Sequence, residues 1–399
     1  MTKRRVLIVN KFYYARGGDC VCTLNLERLL DGAGHETAIF SMHYPENLES
    51  RWSRYFASEV SFGGSLSNMI RAGARTLGMG DVRKAFRNIL DDFRPDVVHL
   101  NNIHSYLSPV LAGMAKKSGA RVVWTLHDYK LLCPSYSCLN GGRPCELCFE
   151  NKFNVVRNRC MKGSLPASVI AWLEAMLWSR DRLCRSVDVF ICPSEFMQSR
   201  MIAGGFPADK LVTLCNFVDP VKLDVISMAS TAVEREPDSY CYIGRLSEEK
   251  GIDRLLEMAS GLPYRLYVAG DGPLGPDLRE RYGNCDNIKF LGRLSAGEVA
   301  TLVARCHASV IPSRWYENNP LGVIESLCAG TPVIGAGIGG IPELIDDACG
   351  VVYAWDDQEA QRRAVVDVMS RRWDHSGIAA RARMRFSQSA HYDRLLKLY

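Results

Sequence analysis

Two cations in the second half of the sequence have the spacing expected of a phosphate site. Arg245 directly follows a short apolar run, in Gly244-Arg245, and Lys250-Gly251 stands just before the next amphipathic segment. An arginine offers a planar fork of donors, a lysine offers a mobile point charge, and a helix N-terminus adds free amides. This spacing predicts a diphosphate site, although two solvated charges on a surface turn are the alternative for this pair alone.

Two carboxylates flank a helix start later in the same half. Glu317 precedes Pro320, which suits the first position of a helix, and Glu325 follows inside that helix. A carboxylate can accept hydrogen bonds from two neighbouring hydroxyls, and the free amides of residues 321–323 can hold a phosphate. The pattern favours a sugar on one side of an anion and a ribose on the other. An unrelated pair of acids near a helix start is the alternative.

A glycine-rich run at 335–340 has the G-x-G-x-x-G spacing of dinucleotide-binding loops, with Asp356 and Asp357 about twenty residues further on. The segment after it leaves room for at most two helical turns before Gly350. The run also falls late in its half, whereas the fingerprint belongs to the first strand and helix of a domain. We therefore expect no NAD site here.

Cysteines are concentrated in one irregular segment. Five of the 15 lie within 28 residues: Cys133, Cys138, Cys145, Cys148 and Cys160. Two cysteines separated by two residues, with one upstream and one downstream, are typical of a structural zinc knuckle. Reduced free thiols and, less readily, a disulfide are the alternatives.

The elements that must position these residues alternate along the chain. Short β-branched runs, separated by longer amphipathic segments, predict two α/β domains with parallel sheets. The predicted strands are 5–10, 36–41, 96–101, 121–126, 188–193, 239–244, 264–270, 287–291, 308–312, 332–335 and 350–353. The predicted helices are 19–33, 81–93, 105–118, 165–186, 249–260, 295–305, 320–329 and 357–371, followed by a helix-prone tail. We expect domains at 1–205 and 206–375, with the tail 376–399 returning to the first.

Length and charge agree with this division. A chain of 399 residues exceeds the roughly 250–300 residues of a single core. The net charge of +5 hides a polarity, because residues 1–193 hold 26 basic against 17 acidic side chains and the remainder leans acidic. A basic half can meet a phosphorylated ligand, an anionic membrane or nucleic acid, or can simply be solvated.

Membrane signals are weak. No run reaches the ~18–20 apolar residues of a membrane span, and the N-terminus lacks the pattern of a secretory leader. We expect a cytoplasmic protein, at most peripheral at the inner face of the plasma membrane. Segment 165–185, apolar and then arginine-rich, is more typical of a buried helix with a basic end than of a helix lying on a membrane.

The chain resembles the retaining glycosyltransferases of family 4, which have the two-domain GT-B fold with a cleft between the domains. The resemblance rests on seven groups of residues in the family's order: Gly17-Gly18, His127-Asp128-Tyr129, Pro193-Ser194-Glu195, Asn216-Phe217-Val218-Asp219, Gly244-Arg245 with Lys250-Gly251, Gly270-Asp271-Gly272-Pro273, and Glu317 through Glu325. The last is the family's Glu-x7-Glu signature. Phe217 departs from the pattern, since the family usually has glycine there.

The resemblance implies a role for each matched position. Arg245 and Lys250 would bind the donor diphosphate, Glu325 the ribose, and Glu317 the transferred sugar, with His127 beside the reacting centre. The remaining donor-binding positions that it implies are Gly17, Gly18, Gly244, Gly292, Arg293, Asn319, Leu321 and Gly322. The catalytic set is His127, Glu317, Arg245 and Lys250. Related sequences also favour Cys133, Cys145, Cys148 and Cys160 as the zinc ligands, with Cys138 as a substitute.

The sequence thus predicts a hexosyltransferase-type enzyme that moves a sugar from a UDP- or GDP-sugar to a lipid-linked saccharide in bacterial surface polysaccharide synthesis, such as lipopolysaccharide or exopolysaccharide. No cofactor or metal is expected for catalysis, because the resemblance implies that the leaving diphosphate accepts the acceptor's proton. The alternatives are another GT-B reaction, such as nucleotide-sugar 2-epimerisation, and a basic nucleic-acid binder with a cysteine knuckle. An intact donor site argues against nucleic acid as a partner.

Overall fold

A computed structural model describes residues 3–61 and 66–399 of the chain. The chain divides into two units. The first holds the described residues up to Asn140, together with Cys145–Leu214 and Tyr392–Tyr399. The second holds Gly141–Pro144 and Cys215–His391. The main boundary between the units therefore follows Leu214, whereas the sequence analysis expected it after residue 205.

The first unit is built on a six-stranded parallel sheet in the order β2-β1-β3-β4-β7-β8. Its strands are β1 (Arg5–Val9), β2 (Glu36–Phe40), β3 (Val97–Leu100), β4 (Arg121–Thr125), β7 (Val189–Cys192) and β8 (Leu211–Thr213), and a short hairpin supplies β5 (Leu139–Asn140) and β6 (Arg143–Pro144). The helices are α1 (Gly18–Gly32), α2 (Leu66–Thr76), α3 (Val82–Phe93), α4 (Val110–Lys117), α5 (Leu147–Glu150), α6 (Asn154–Arg157), α7 (Leu165–Leu177), α8 (Arg180–Ser186) and α9 (Glu195–Ala203). Single 3-10 turns lie at Ser53–Tyr55 and Ala208–Lys210.

The second unit has a six-stranded parallel sheet in the order β11-β10-β9-β12-β13-β14. Its strands are β9 (Glu236–Ile243), β10 (Arg265–Ala269), β11 (Ile288–Gly292), β12 (Cys306–Ile311), β13 (Val333–Ala336) and β14 (Gly350–Tyr353). The helices are α10 (Pro220–Ala232), α11 (Ile252–Ala259), α12 (Gly275–Tyr282), α13 (Ala296–Arg305), α14 (Leu321–Cys328), α15 (Gln358–Ser370) and α16 (His375–Arg385), with a 3-10 turn at Glu248–Lys250. The prediction of two Rossmann-like domains is confirmed.

Both sheets are covered on their two faces, which explains why their strands appear in the sequence as apolar runs. Val6–Val9 of β1 and Val97–Leu100 of β3 are almost inaccessible to solvent. A parallel sheet needs helices on both faces, so alternate side chains are buried in opposite directions and few polar residues are tolerated. The predicted strands lie within one to three residues of those observed.

The segment between the last predicted strand of the first half and the first predicted strand of the second half contains α9, β8 and α10. Asp219-Pro220 begins α10, because the Asp219 carboxylate accepts the amides of Val221 at 3.0 Å and Lys222 at 3.4 Å. An aspartate at the N-cap followed by proline is a helix-start signal as well as a turn signal.

The C-terminal tail packs on the first sheet. Helix α17 (Gln388–Leu396) leads into the last residues, where a hydrogen bond of 2.5 Å joins Tyr399 Oη to His99 Nδ1. The Tyr392 hydroxyl lies 2.7 Å from His35 Nε2. Of the tail 376–399 that was expected to return to the first domain, Tyr392–Tyr399 belong to the first unit, whereas the residues up to His391 belong to the second.

Each sheet has one point where its strand order reverses. In the first unit this point lies between β1 and β3, and in the second between β9 and β12. At such a point the loops after the two strands run to opposite sides of the sheet and leave a crevice at the carboxyl ends. These two crevices are where ligands bind in folds of this class.

Candidate functional site

The candidate donor residues of the second unit follow the two strands at its reversal point. Arg245 comes just after β9, and the 3-10 turn Glu248–Lys250 continues the same loop. Glu317 lies in the loop between β12 and α14. The sheet order therefore brings together two loops that are about 70 residues apart in sequence.

Glu317 is held by three donors on one oxygen. Its Oε1 accepts a hydrogen bond from Lys250 Nζ at 2.6 Å. It also accepts Ser313 Oγ at 2.7 Å and Trp315 Nε1 at 2.9 Å. Burial acts to raise the pKa of this carboxyl, but Lys250 and the two neutral donors outweigh burial and lower it overall. The group is an ionised carboxylate, and its Oε2 has no hydrogen-bond partner among the described residues.

Lys250 is positioned by the same loop. Its ammonium group lies 4.9 Å from the centre of the Trp315 ring, within range of a cation–π contact. The side chain of Lys250 remains 27% exposed, against 12% for that of Glu317. The ammonium is thus fixed in direction while part of it faces solvent, as an anion site requires.

Gly251 explains how closely the two loops approach. It adopts φ +70°, and a Cβ at this position would stand 2.0 Å from the carbonyl oxygen of Pro312. The amide of Arg314 also donates to the Glu249 carbonyl at 2.9 Å. Only glycine satisfies both the left-handed backbone and the contact, so Lys250-Gly251 acts as a structural pair.

The glycine-rich run after β13 supports Glu317 from behind. Gly339 has φ +62°, and a Cβ there would lie 2.3 Å from the Glu317 carbonyl oxygen. The amide of Gly340 donates to that same oxygen at 2.7 Å. The residues after Gly340 form turns and no helix before β14. The G-x-G-x-x-G spacing here serves close backbone packing, and the element that a dinucleotide needs is missing from residues 341–349.

Helix α14 begins at Leu321, with Pro320 as its N-cap residue. The amides of Leu321 and Gly322 donate to no acceptor among the residues that the structure describes. The amide of Val323, expected to be free, donates to the Pro320 carbonyl at 3.1 Å. Two amides rather than three are therefore available at this helix start.

Glu325 lies in α14 and faces α10. Its Oε2 is 3.2 Å from Lys222 Nζ, a partner that the sequence analysis missed because lysines on a helix give no signal of their own. Both side chains are about a quarter exposed. Because both side chains are partly exposed, a carboxylate oxygen of Glu325 and the Lys222 ammonium remain accessible to a ligand.

The other implied donor residues differ in how far they are committed to the fold. Arg245 is exposed, and its guanidinium makes no hydrogen bond or ion pair with the part of the chain that is described. Asn319 is buried, and its Oδ1 accepts the Asn216 amide at 3.0 Å. Arg293 stands at the exposed end of β11, after Gly292, and lies 3.9 Å from Asp271. The Arg245 guanidinium is therefore available to an anion, whereas the Asn319 Oδ1 atom is already committed to the Asn216 amide.

The reversal point of the first unit gathers polar side chains around His127. The His127 Nε2 atom lies 3.0 Å from Asn101 Oδ1, which can only accept, so Nε2 carries the proton. Burial lowers the pKa of His127 to about 4. Asp19 accepts a hydrogen bond from Asn102 Nδ2 at 2.8 Å. Sequence reasoning identified His127 but not Asp19 or the two asparagines, which follow β3 and carry no motif.

Gly17 and Gly18 stand exposed at the start of α1. Neither has a positive φ, and a Cβ on Gly18 would meet no atom within 4 Å. Their own unit therefore gives no steric reason for glycine at position 18. A phosphate or sugar approaching the backbone would give one.

The cysteine-rich segment does not support the predicted zinc knuckle. Among residues 3–61 and 66–399, no group of three or more His, Cys, Asp or Glu side chains is arranged to hold a metal ion. Cys148 is instead buried with Val155 and Val156, and Cys160 packs against them. Contacts with the Cys138 and Cys148 thiols lower the pKa of Cys133. The cysteines, Cys145 included, are free thiols, and two of them, Cys148 and Cys160, belong to a small apolar cluster.

Helix α7 reverses the usual pattern of burial. Its buried residues are Ser168, Ala171 and Glu174. Its exposed residues include Leu165, Leu173, Met176 and Leu177, at 37–56% exposure, which we call the α7 apolar face. The expected buried helix is therefore only partly buried, because Val169 and Trp172 pack against the Cys148 cluster while the α7 apolar face is exposed. No helix in the described parts of the chain has the length and apolarity to cross a membrane.

Comparison with known families agrees with this geometry. Residues 16–222 match the model described as Glycosyltransferase Family 4, about half of the chain, and residues 227–390 match the one described as Glycosyl transferases group 1. A curated relative is an uncharacterised protein of the cps region of Klebsiella pneumoniae. It is 26% identical over 373 residues, which cover 89% of this chain and 91% of that protein.

Solved structures share the fold. Anabaena HepE, crystallised with UDP and glucose, superimposes with a TM-score of 0.62 at 16% identity, over 99% of this chain and 98% of that one. The lipopolysaccharide outer core galactosyltransferase WaaB, in its apo form, gives a TM-score of 0.64 at 15% identity, with coverage of 99% and 98%. At this identity the likeness establishes the GT-B architecture.

Proposed function

The chain belongs to Glycosyltransferase Family 4 and is a glycosyltransferase of the GT-B type, and we propose that it transfers a hexose from a nucleotide-diphosphate donor to a saccharide acceptor with retention of configuration. The donor is a UDP- or GDP-sugar, and UDP is the first choice because HepE was crystallised with UDP and glucose.

The observation that carries the proposal is the arrangement of Lys250 and Glu317 beside Arg245. One ammonium is locked against a carboxylate at 2.6 Å, and one guanidinium nearby in the same loop is unpaired in the described structure. The carboxylate keeps Oε2 for a ligand. A diphosphate bound to Arg245 and Lys250, with a sugar hydroxyl donating to Glu317 Oε2, would satisfy the guanidinium and the acceptor that the described residues leave without partners.

We assign the chemistry to electrostatic stabilisation of the leaving group. Arg245, Lys250 and the amides of Leu321 and Gly322 supply the positive charge that a departing diphosphate needs. The bond between the anomeric carbon and the phosphate oxygen breaks as the acceptor oxygen attacks from the same face, and the acceptor's proton passes to the leaving phosphate oxygen. Because these protein groups already neutralise the diphosphate, we propose that the reaction is metal-independent.

His127 acts in this scheme as a neutral hydrogen-bonding group. Since its pKa lies near 4, it carries no charge at neutral pH. Its Nε2 proton is committed to Asn101. We assign it the orientation of a sugar hydroxyl at the carboxyl edge of the first sheet, where Gly17 and Gly18 allow a close approach.

We propose a lipid-linked saccharide as the acceptor, in the synthesis of a bacterial surface polysaccharide. Two relatives support this: one is encoded in a cps region, and the other is a lipopolysaccharide outer core galactosyltransferase. The α7 apolar face supports contact with a lipid surface, because clustered exposed apolar side chains are typical of surfaces that meet a membrane or a partner. The enzyme would then work at the inner face of the plasma membrane.

The test is a thermal-shift panel of nucleotide sugars on the wild-type protein, Arg245→Ala and the matched control Arg362→Ala. Arg362 is an exposed arginine of α15 in the same unit. A charged hydrogen bond contributes about 1.5–3 kcal/mol, so Arg245→Ala should weaken binding of the preferred donor roughly 10- to 150-fold. Equal shifts for all three proteins would overturn the site assignment.

Product analysis tests the reaction itself. The anomeric configuration of the product, read by NMR, must equal that of the donor if the enzyme is retaining. A donor sugar that changes its own configuration in the absence of acceptor would indicate an epimerase instead.

A further inference from the structure

A cavity of about 180 Å³ lies in the first unit, and Glu174, Ala175 and Met176 of α7 form part of its wall. It has room for about six water molecules at ~30 Å³ each. Small-molecule sites that enclose a whole ligand usually measure about 300–1,000 Å³, so this cavity is too small for a nucleotide sugar. It is the size of a head group.

The lining of the cavity is cationic. Lys130, Lys152 and Arg180 contribute to its wall, whereas Glu174 is the one carboxylate in the wall. The Lys130 and Glu174 side chains are 7% and 4% exposed and lie 3.0 Å apart. Arg180 is half exposed and also lies 3.2 Å from Asp181, which faces solvent. Lys130 and Lys152 are thus two largely buried cations with one buried carboxylate between them, which costs free energy unless a further anion is bound.

The two lysines keep hydrogen-bonding capacity. Lys130 Nζ donates to Glu174 and to the Pro134 carbonyl at 2.5 Å. Lys152 Nζ donates to the carbonyls of Leu131 and Leu132. Each ammonium has three hydrogens, so one hydrogen on each is left for a ligand. Glu174 is fully engaged, because Ser105 donates its amide to the same carboxylate at 2.9 Å.

His104 supplies an independent observation. This residue is 9% exposed, lines the cavity and stacks on Trp124 with ring centres 5.1 Å apart. Its ring nitrogens have no hydrogen-bond partner among the described residues. Burial, reinforced by Lys130, holds the pKa of His104 well below its usual range, so the imidazole is neutral and offers one N–H donor. The imidazole can therefore donate one hydrogen bond to an atom placed in the cavity.

The rest of the wall is apolar and continues to the surface. Leu131, Phe149, Trp178 and Phe206 line the cavity, and so does Met176. Met176 is 56% exposed and belongs to the α7 apolar face. The cationic cavity is therefore continuous with the α7 apolar face through Met176, which belongs to both.

We propose that this cavity binds the phosphate or diphosphate of an isoprenoid-type lipid, whose hydrocarbon chain lies along the α7 apolar face. The lysine ammonium groups, Arg180 and the His104 N–H take the phosphate oxygens. This rests on the proposed function only in naming the class of acceptor, since a lipid-linked saccharide carries such a phosphate. The site is separate from the donor residues of the second unit.

Farnesyl phosphate serves as the probe, measured by isothermal titration calorimetry on the full chain. Farnesol, inorganic phosphate, and vesicles of phosphatidylglycerol or phosphatidylcholine are the comparison arms. Farnesyl phosphate should bind at least tenfold more tightly than farnesol or inorganic phosphate. Equal binding of farnesol would remove the role of the cations. Equal binding of inorganic phosphate, or binding to anionic vesicles alone, would overturn the assignment of a lipid phosphate.

The variants are Arg180→Gln and Lys152→Gln, with Arg185→Gln as the matched control. Arg185 is an exposed arginine of α8 that does not line the cavity. Each of the first two should weaken farnesyl phosphate at least tenfold, and the control should not. Lys152 supports two carbonyls, so Arg180→Gln, at an exposed position, decides the matter if Lys152→Gln fails to fold.

Donor binding in the same samples separates the two proposals. Variants that lose farnesyl phosphate but keep the thermal shift given by UDP support the cavity assignment. A protein that responds to UDP but binds farnesyl phosphate no better than farnesol refutes the cavity assignment and leaves the proposed function intact. If the wild-type protein shows no thermal shift with UDP, that result counts against the proposed function instead.

Discussion

Glu317→Gln removes one negative charge from the donor site while keeping the shape of the side chain. In the wild type, Oε1 accepts Lys250, Ser313 and Trp315 at 2.6, 2.7 and 2.9 Å. Glutamine still offers a carbonyl oxygen to the two neutral donors. It loses the charge that faces Lys250, and that ammonium keeps only a neutral acceptor.

The magnitude follows from these contacts. A hydrogen bond to a charged group contributes about 1.5–3 kcal/mol and a neutral one about 0.5–1.5 kcal/mol, so the substitution should cost about 1–2 kcal/mol. The two side chains are 27% and 12% exposed, which keeps solvent screening modest. In a unit of about 180 residues, each kcal/mol shifts Tm by about 2–4 °C, which gives a loss of about 2–8 °C.

Differential scanning calorimetry of the free protein measures this loss, with Glu280→Gln, an exposed acid of α12, as the control. The folded pKa of Glu317 is lowered, so its stabilisation is present above the ordinary value of 4.5 and lost as pH falls through the folded value. The difference from wild type should therefore be constant from pH 8 to pH 5.5 and shrink below about 4.5. A Tm within 1 °C of wild type at pH 7 would refute the reasoning.

Three further predictions concern glycine positions and His127. Gly339→Ala should destabilise the second unit by at least ~1–2 kcal/mol, because the position has a positive φ and an added Cβ would overlap Glu317. Gly297→Ala, where no atom lies near the added Cβ, should stabilise the protein by about 0.5–1 kcal/mol. Equal melting temperatures of the two variants would contradict this prediction. Gly18→Ala should leave Tm unchanged or raised yet slow transfer several-fold, and an undiminished rate in a steady-state assay would show that no substrate approaches there. Because the pKa of His127 is about 4, its titration should leave no inflection in the pH–rate profile between pH 6 and 8. An inflection in this range that disappears in His127→Gln would show that the imidazole titrates there and is not neutral throughout.

The sheets were predictable because parallel strands buried on both faces must be apolar. The apolar runs at 5–10 and 96–101 are short and β-branched, as is typical of buried strands of a parallel sheet. Helix α10 was missed for the opposite reason. Asp219-Pro220 is equally suited to a turn and to a helix N-cap, and only the amides that it meets decide between them.

The site was predictable to the level of loops. The sequence places Lys250 and Glu317 after different strands, but their ion pair depends on β12 lying beside β9, which local pattern does not encode. The contact of the Asn319 side chain was not predictable either, because its Oδ1 accepts the Asn216 amide, which lies 103 residues earlier in the chain. The zinc prediction relied on spacing and on the resemblance to related sequences, and packing of Cys148 with valines is compatible with the same spacing without a metal.

The tail that packs on the first sheet has a consequence for biosynthesis. Residues 215–391 are translated after the bulk of the first unit and before Tyr392–Tyr399 complete it. At about 5–20 residues per second, some 180 residues keep the nascent first unit waiting for roughly 10–35 s. During that interval His99, on the interior strand β3, lacks its tyrosine partner, so the nascent first sheet has one polar side chain without its final hydrogen bond until the last residue is added.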